Sequence, residues 1–287
     1  MSRTVYVNGE FVAEENARIS VFDRGFLFAD SVYEVSSVLD GQLIDNEGHL
    51  KRLHRSLTEL GMRAPASDKD IVNAQMELLK RNKLQEGAVY LQATRGTAER
   101  DFMVPKDSTP GLVMFTQEKN LRNPPQVKNG ISVVSVPDIR WKRRDIKTTG
   151  LLAQSLAKQT AADAGADDAW MVEEGFVTEG SSNNAFIVDA DGKIITRQLG
   201  NEILPGITRS AVLSLVKSDN IEFEERSFTI AEAQVAREAF VTSATTFVWP
   251  VVAIDGVSIG DGKPGPVASR LREVYVQTAL DLSLIHI

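Results

Sequence analysis

The chain has 287 residues, 43% of them hydrophobic, with a formal net charge of −7 and a sequence pI near 5.2. That length and apolar content suffice for one large or two ordinary domains whose core needs no covalent staple. The lack of cysteine excludes disulfides, thiolate metal sites and a cysteine nucleophile, and the acidic balance argues against a general nucleic-acid binder.

In chain order, residues 5–12 read as a hairpin around an Asn8-Gly9 turn, followed by a strand at 32–39 closed by Asp40-Gly41. Leu50, Leu53, Leu57 and Leu60 mark one helical face, with Asp45 or Asn46 as the cap and Gly61 as the stop. A second helix is predicted at 70–81, with strands at 88–94 and 112–116. Residues 118–126 have the composition of a linker. Beyond it come a strand at 131–136, a helix at 151–164, and strands at 169–172 and 185–188 with a turn at Asp191-Gly192. Helices starting near Gly206 and spanning 230–237, strands at 240–242 and 251–254, and a last helix within 267–280 complete the chain. There is no strict βαβ alternation and no Gly-x-Gly-x-x-Gly turn. The expectation is two α+β domains, at 1–117 and 127–287, joined by the 118–126 linker.

Of the three histidines, His49 and His54 stand five apart on a helix, off a common face, and His286 is in the tail. Neither a metal site nor a Ser-His-Asp triad is expected, so acid–base work falls to Lys, Asp, Glu or Tyr. Residues 1–11 carry no charged-then-apolar signal, and no apolar run approaches a membrane span. The expectation is a cytoplasmic protein with neither membrane nor nucleic acid as partner.

Lys147 lies in Arg144-Asp145-Ile146-Lys147-Thr148-Thr149-Gly150, and Glu179 in Val177-Thr178-Glu179-Gly180-Ser181-Ser182-Asn183. A lysine forms a Schiff base with an aldehyde, and an acidic side chain keeps a pyridine nitrogen protonated, so the pair suits the two ends of a pyridoxal ring. Lys142, Arg143 and Arg144 offer local positive charge to lower the lysine's pKa, and Leu151-Leu152 offer apolar surroundings. The same residues read equally as a solvated basic loop and a polar turn. Pro205-Gly206-Ile207-Thr208-Arg209 opens a helix whose free N–H groups favour an anion, and Thr242-Ser243-Ala244-Thr245-Thr246 is a second cluster of small donors. Both are also ordinary cap and turn signals. Arg52, beside the leucine stripe, either snorkels to solvent or reaches a phosphate. Tyr33 is a core residue or a polar handle, and Arg95 and Arg100 bind a substrate carboxylate or neighbouring acids.

Taken in order, these stretches resemble the fold-type-IV family of pyridoxal-phosphate enzymes. The matching segments are Asp23-Arg24-Gly25-Phe26 with Val32-Tyr33-Glu34-Val35, His49 to Leu53, Asp145-Ile146-Lys147, Val177 to Asn183, Leu204 to Arg209, and Val241-Thr242-Ser243. The resemblance implies a two-domain α+β enzyme with its active site between the domains, pyridoxal 5′-phosphate as cofactor, and a homodimer. It implies that Lys147 holds the cofactor and shuttles the proton, and that Glu179 pairs with the pyridinium nitrogen. Arg52, Ile207, Thr208, Ser243 and Ala244 would hold the phosphate, with Ala244 offering only its N–H where some members carry a hydroxyl. Tyr33, Arg100 and Thr245 would meet the substrate.

Within the family, Thr148-Thr149-Gly150-Leu151-Leu152 lacks the tyrosine that branched-chain aminotransferases place shortly after the lysine. The Arg95-to-Arg100 loop resembles the D-amino-acid transaminase branch, although Phe102 stands where that branch has a histidine. The implied reaction is ping-pong transamination between a D-amino acid and an α-keto acid. An (R)-amine or branched-chain aminotransferase and an aminodeoxychorismate lyase are the alternatives.

Overall fold

The Asn8-Gly9 pair closes a hairpin between β1 (Thr4–Val7) and β2 (Glu10–Ala13) in the computed structural model of the chain, which describes residues 2–285. Both turn residues have positive φ, 49° and 103°, as a two-residue loop needs to follow the twist of its strands. The chain divides into two units. One comprises Met1–Asn120 with Ile146–Gly150, the other Leu121–Asp145 with Leu151–Ile287. The tail residue His286 lies outside the described residues.

The first unit continues with α1 (Arg24–Phe28), β3 (Ser31–Leu39), β4 (Gln42–Leu43), α2 (Asn46–Glu59), α3 (Asp68–Asn82), β5 (Gly87–Thr94) and β6 (Gly111–Glu118). Its sheet runs β2-β1-β6-β5-β3-β4, antiparallel throughout. The two long helices set Leu50, Leu53, Leu57, Ile71, Ala74 and Leu78 against Val32, Leu91 and Met114 of the sheet. Each of these side chains larger than alanine contributes about 1.5–3 kcal/mol on burial. Because side chains alternate along a strand, Tyr33 projects from the other face, where it stacks on Tyr90 at 5.5 Å and Tyr90 on Phe115 at 4.7 Å.

Local chemistry sets the helix ends. Asp45 precedes α2 at φ 53° without a side-chain cap bond, while Asn46 is used elsewhere, accepting from Ser36 Oγ at 2.8 Å and donating to Gln75 Oε1 at 2.9 Å. The helix α3 starts two residues earlier than its apolar pattern, because the Ser67 hydroxyl caps the Asp70 N–H at 3.2 Å.

Lys147 belongs to the first unit, not to the C-terminal half in which the sequence order sets it. The reason is backbone pairing and packing. The Lys147 carbonyl accepts from Tyr33 N at 3.0 Å, Thr148 forms a β-bridge with Val32, and Ile146 enters the core under α2. The boundary at Asn120/Leu121 falls within the stretch expected as a linker, yet Leu121 is buried and Pro125–Asn129 forms a short helix, α4.

The second unit continues with β7 (Ile131–Pro137), α5 (Leu152–Asp163), β8 (Asp168–Glu173), β9 (Phe176–Gly180), β10 (Asn184–Val188) and β11 (Ile194–Thr196). Then come α6 (Ile207–Ser218), β12 (Phe223–Glu225), α7 (Ile230–Gln234), β13 (Glu238–Ser243), β14 (Phe247–Ile254), β15 (Val257–Ser258) and α8 (Pro266–Ile285). The sheet order is β12-β11-β10-β13-β14-β7-β8-β9, with β15 on β14. One face packs Ile131, Val133, Trp170, Ala185, Ile187, Val241 and Val251 into a core closed by Phe228 and Ala233. The antiparallel register pairs Asn184 with Thr242 and Ser243 with Phe247. The turn at residues 244–246 therefore emerges beside the start of β10.

Candidate active site

In the first unit, the Lys147 ammonium lies 4.1 Å from the centre of the Tyr33 ring. The lysine is half-buried and its side chain has no ion pair or hydrogen bond to a described residue. A cation over an aromatic face gains an electrostatic contact, and no carboxylate ties up the amine. Its backbone is fixed on two sides, by β3 and by the Ser56 hydroxyl of α2, which accepts from Lys147 N at 3.4 Å.

The surroundings differ from those the sequence offered. Leu152 is 74% exposed, so it does not supply an apolar wall. The basic run is neutralised within the second unit: Lys142 and Arg144 both pair with Glu173, and Arg143 pairs with Asp145 at 3.0 Å. Glu173 is accordingly held down at about 2 by the Arg144 and Lys142 donors.

Arg52 does not snorkel. It is buried one helical turn from Ser56, and its guanidinium grips Glu34 of β3 through Nε to Oε1 at 2.8 Å and Nη2 to Oε2 at 2.7 Å. His49 Nδ1 lies 2.8 Å from the same carboxylate. Burial would raise the Glu34 carboxyl, but Arg52 and then His49 outweigh it and hold the group at about 2. Arg52 is thus fixed in direction by a buried anion.

In the second unit, Glu179 is the penultimate residue of β9, where the sequence suggested a polar turn. One carboxylate oxygen accepts from Arg140, and the other accepts from Asn184 Nδ2 at 2.9 Å and Leu204 N at 3.1 Å. Arg140 is held in turn by Asp138 at 2.7 Å, and Thr178 Oγ1 donates to Asp138 at 2.6 Å. Burial raises the Glu179 carboxyl and Arg140 opposes it. Only N–H donors converge on its oxygens, and none of them accepts a carboxyl proton, so the ionised form fits. Three of about four acceptor positions of a carboxylate are filled, which leaves one for a pyridinium N–H.

Asn184 links this carboxylate to the start of α6, because its Nδ2 also donates to Leu204 O at 3.0 Å. Gly206 is the N-cap and gives no side-chain cap, so the first N–H groups of α6 are not occupied by one. A Cβ at Gly206 would fall 2.1 Å from Asn184 Oδ1, so a side chain there would push Asn184 out of its place. Ile207 and buried Thr208 follow. The turn after Ser243 lies beside the Asn184 end of the sheet. Ser243 Oγ is already engaged there, with Thr246 Oγ1 at 2.9 Å and Thr246 N at 3.2 Å, so Ala244 and Thr245 supply the remaining N–H groups.

The candidate substrate residues are not all together. Arg100 makes no hydrogen bond or cation–π contact with Tyr33 among the described residues. Its guanidinium lies over the Phe28 ring at 5.6 Å and the Phe102 ring at 5.8 Å, and it has no acidic partner among the described residues. Phe102 is 80% exposed. Arg95 is structural, bonding Asp30 at 2.7 Å and the Leu60 carbonyl at 2.9 Å. Thr245 is half-buried in its turn. Sequence reasoning missed Glu34, Asp138, Arg140 and Asn184. One signal was available: a glutamate inside the apolar Val32-to-Val35 strand has to find a cation.

Each unit carries groups of a kind that suits pyridoxal phosphate: the first an amine without a carboxylate partner, the second a carboxylate with one acceptor position left and an uncapped helix start near a turn of N–H groups. Among the described residues no cluster of His, Asp and Glu suits a metal ion, and no helix is long and apolar enough to cross a membrane.

The fold matches fold-type-IV aminotransferase structures over nearly its whole length. The branched-chain amino acid aminotransferase of Escherichia coli superposes with a TM-score of 0.91 over 97% of this chain and 95% of that one, at 22% identity. A second branched-chain amino acid aminotransferase, the T.th. enzyme solved with pyridoxamine 5′-phosphate, gives 0.90 over 97% and 94%, at 28% identity. In sequence, the D-alanine aminotransferase of Staphylococcus haemolyticus is 38% identical over 271 residues, 94% of this chain and 96% of that protein. The profile of the family described as Amino-transferase class IV matches residues 31–254, and the chain belongs to that family.

Proposed function

We propose that this protein is a pyridoxal-phosphate-dependent aminotransferase that exchanges an amino group between a D-amino acid and an α-keto acid in two half-reactions. The observation that carries the reading is the Lys147 amine, half-buried over Tyr33 and without a carboxylate partner. The D-amino-acid choice is supported by the 38% identity to a D-alanine aminotransferase, against 28% or less for the branched-chain structures cited above.

When bound, pyridoxal phosphate supplies a sink for the electrons left as the substrate Cα–H bond breaks. Lys147 Nζ would hold the cofactor's aldehyde end, and its amine would take up and return the substrate Cα proton. Glu179 would accept the ring N–H and keep that nitrogen protonated, its carboxylate being fixed by Arg140, Asn184 and the Leu204 amide. Arg52, the Ile207 and Thr208 amides with the Thr208 hydroxyl, and the Ser243-Ala244 segment take the phosphate. Tyr33, Arg100 and Thr245 orient the substrate. The protein works as a homodimer in the cytoplasm, with Arg100 serving the partner's site. Its separation from Tyr33 within one chain favours that arrangement.

A second reading, an (R)-amine donor, has one specific observation behind it. Phe102 puts an exposed apolar ring beside Arg100 where a further carboxylate donor is expected. The test of the common core is borohydride reduction of the cofactor-loaded protein followed by peptide mapping. The adduct is expected on Lys147, and an adduct on another lysine, or none, overturns the reading.

A further inference from the structure

Phe247 opens β14 at φ 55°, the only aromatic side chain at positive φ among the described residues. It directly follows the 244–246 turn and pairs with Ser243. A short hairpin loop that ends in this conformation ordinarily ends in glycine, which reaches it without a Cβ penalty. A bulky residue persists there only if its surroundings hold it.

Arg272 of α8 does so. Its Nη1 donates to Thr246 O at 2.7 Å and Val248 O at 3.1 Å, the two carbonyls flanking Phe247. Its Nη2 donates to Leu121 O and to Arg122 O, the latter at 3.1 Å. The Phe247 ring is fully buried, 5.5 Å from the guanidinium and 5.2 Å from the Tyr275 ring. Arg272 itself is 4% exposed and forms no ion pair with a described residue. Burial pushes it down to about 10, still a cation at neutral pH. A buried cation balanced only by carbonyls is a costly way to fill space that an aliphatic side chain could fill. What it adds is a fixed backbone direction on both sides of the strained residue.

That direction matters because the turn has few other donors. Ser243 Oγ is spent inside the turn with Thr246, and Ala244 has no hydroxyl, so the Ala244 and Thr245 N–H groups, with the Thr245 hydroxyl, are what it presents. Where they point is decided by the backbone dihedrals. We propose that Arg272 is a positioning residue for anion binding: by clamping Thr246 and Val248 around Phe247, it aims these N–H groups at the cofactor's phosphate without touching the cofactor. This rests on the phosphate role of the turn given under the proposed function.

The test titrates apoprotein separately with pyridoxal 5′-phosphate and with pyridoxal, which lacks the phosphate, for the wild type, Arg272→Met and Arg272→Lys. Arg272→Met is expected to lose roughly 10- to 100-fold in affinity for pyridoxal 5′-phosphate, the range of hydrogen bonds to a charged group, while pyridoxal affinity stays within about 2-fold. Arg272→Lys is expected to fall between, since one ammonium can hold only part of the carbonyl set. Hydrogen exchange at residues 245–248 should quicken in both variants. Equal losses for the two ligands, or no loss for either, overturn the proposal. If Arg272→Met does not fold, Arg272→Lys decides by the same ratio; if neither folds, Arg272 serves stability alone and the proposal fails. A wild type that binds both ligands equally overturns the phosphate role of the turn itself, a result distinct from a discriminating wild type whose variants discriminate equally well.

Discussion

Replacing Glu34 with glutamine should unfold part of what fixes Arg52, and the structure sets the size of the effect. Glu34 is 2% exposed and accepts two hydrogen bonds from Arg52, at 2.8 and 2.7 Å, with His49 at 2.8 Å. Burial acts to raise its carboxyl, yet Arg52 and His49 bring it from the ordinary 4.5 to about 2. A carboxyl depressed in the folded state contributes stability that is complete above its unfolded value and lost as pH falls through its folded value. The window therefore runs from about pH 5 down to about pH 2, and at about 1.4 kcal/mol per pH unit the contribution is roughly 3 kcal/mol. Glu34→Gln also leaves the Arg52 cation buried without its anion, which costs about 3–5 kcal/mol. Urea unfolding of both proteins at pH 7, 5 and 3 measures this. Asp30, Asp138 and Glu173 are also held low, so the wild type weakens in acid for several reasons, and the difference between the proteins isolates Glu34. The variant should be less stable by about 3–5 kcal/mol at pH 7, with the gap narrowing towards pH 3. Equal stability at pH 7, or a gap that does not change with pH, refutes the reasoning.

Glu179→Gln should keep the cofactor yet lose at least about 100-fold in turnover, the scale of one preorganised electrostatic contact; near-normal turnover would mean that the ring nitrogen is held by another group. Co-expressing Lys147→Ala with Arg100→Ala should restore activity that neither variant has alone, because mixed dimers regain one site with both residues. A mixture as inactive as its parents would place Arg100 in its own subunit's site, and an active Arg100→Ala protein would remove its role altogether. Phe102→His should raise the preference for D-alanine over (R)-1-phenylethylamine by about 10-fold in kcat/KM, the worth of one added hydrogen bond to a carboxylate. An unchanged ratio would show that this position does not face the carboxylate.

Legibility in the sequence followed the strength of local signals. The Asn8-Gly9 hairpin, the α2 leucine stripe and the long strands β3 and β5 were readable because periodicity and turn chemistry agree there. The strands β9, β11 and β12 were not, being short and, in β9 and β12, carrying charged residues. The first half of β14 was also missed, since a strand that begins on a residue at positive φ has no pattern to announce it. Lys147 and Glu179 were legible as chemical types, but what makes each usable is tertiary. Tyr33 meets Lys147 only because Ile146–Gly150 packs with the first unit. Arg140 and Asn184 reach Glu179 from 39 and 5 residues away, and nothing in the sequence ties the first of these to it. Arg272 bonds carbonyls up to 151 residues distant, through contacts that leave no trace in side-chain pattern.

The central claim is transamination of a D-amino acid at Lys147, and the most direct measurement is a single half-reaction. Cofactor-loaded protein is mixed with D-alanine or with L-leucine, and conversion of the bound cofactor to its amine form is followed by absorbance. D-alanine is expected to react faster, and Lys147→Ala to show no conversion with either. Faster conversion by L-leucine contradicts the D-amino-acid assignment, and conversion by the Lys147→Ala protein contradicts the role of the lysine.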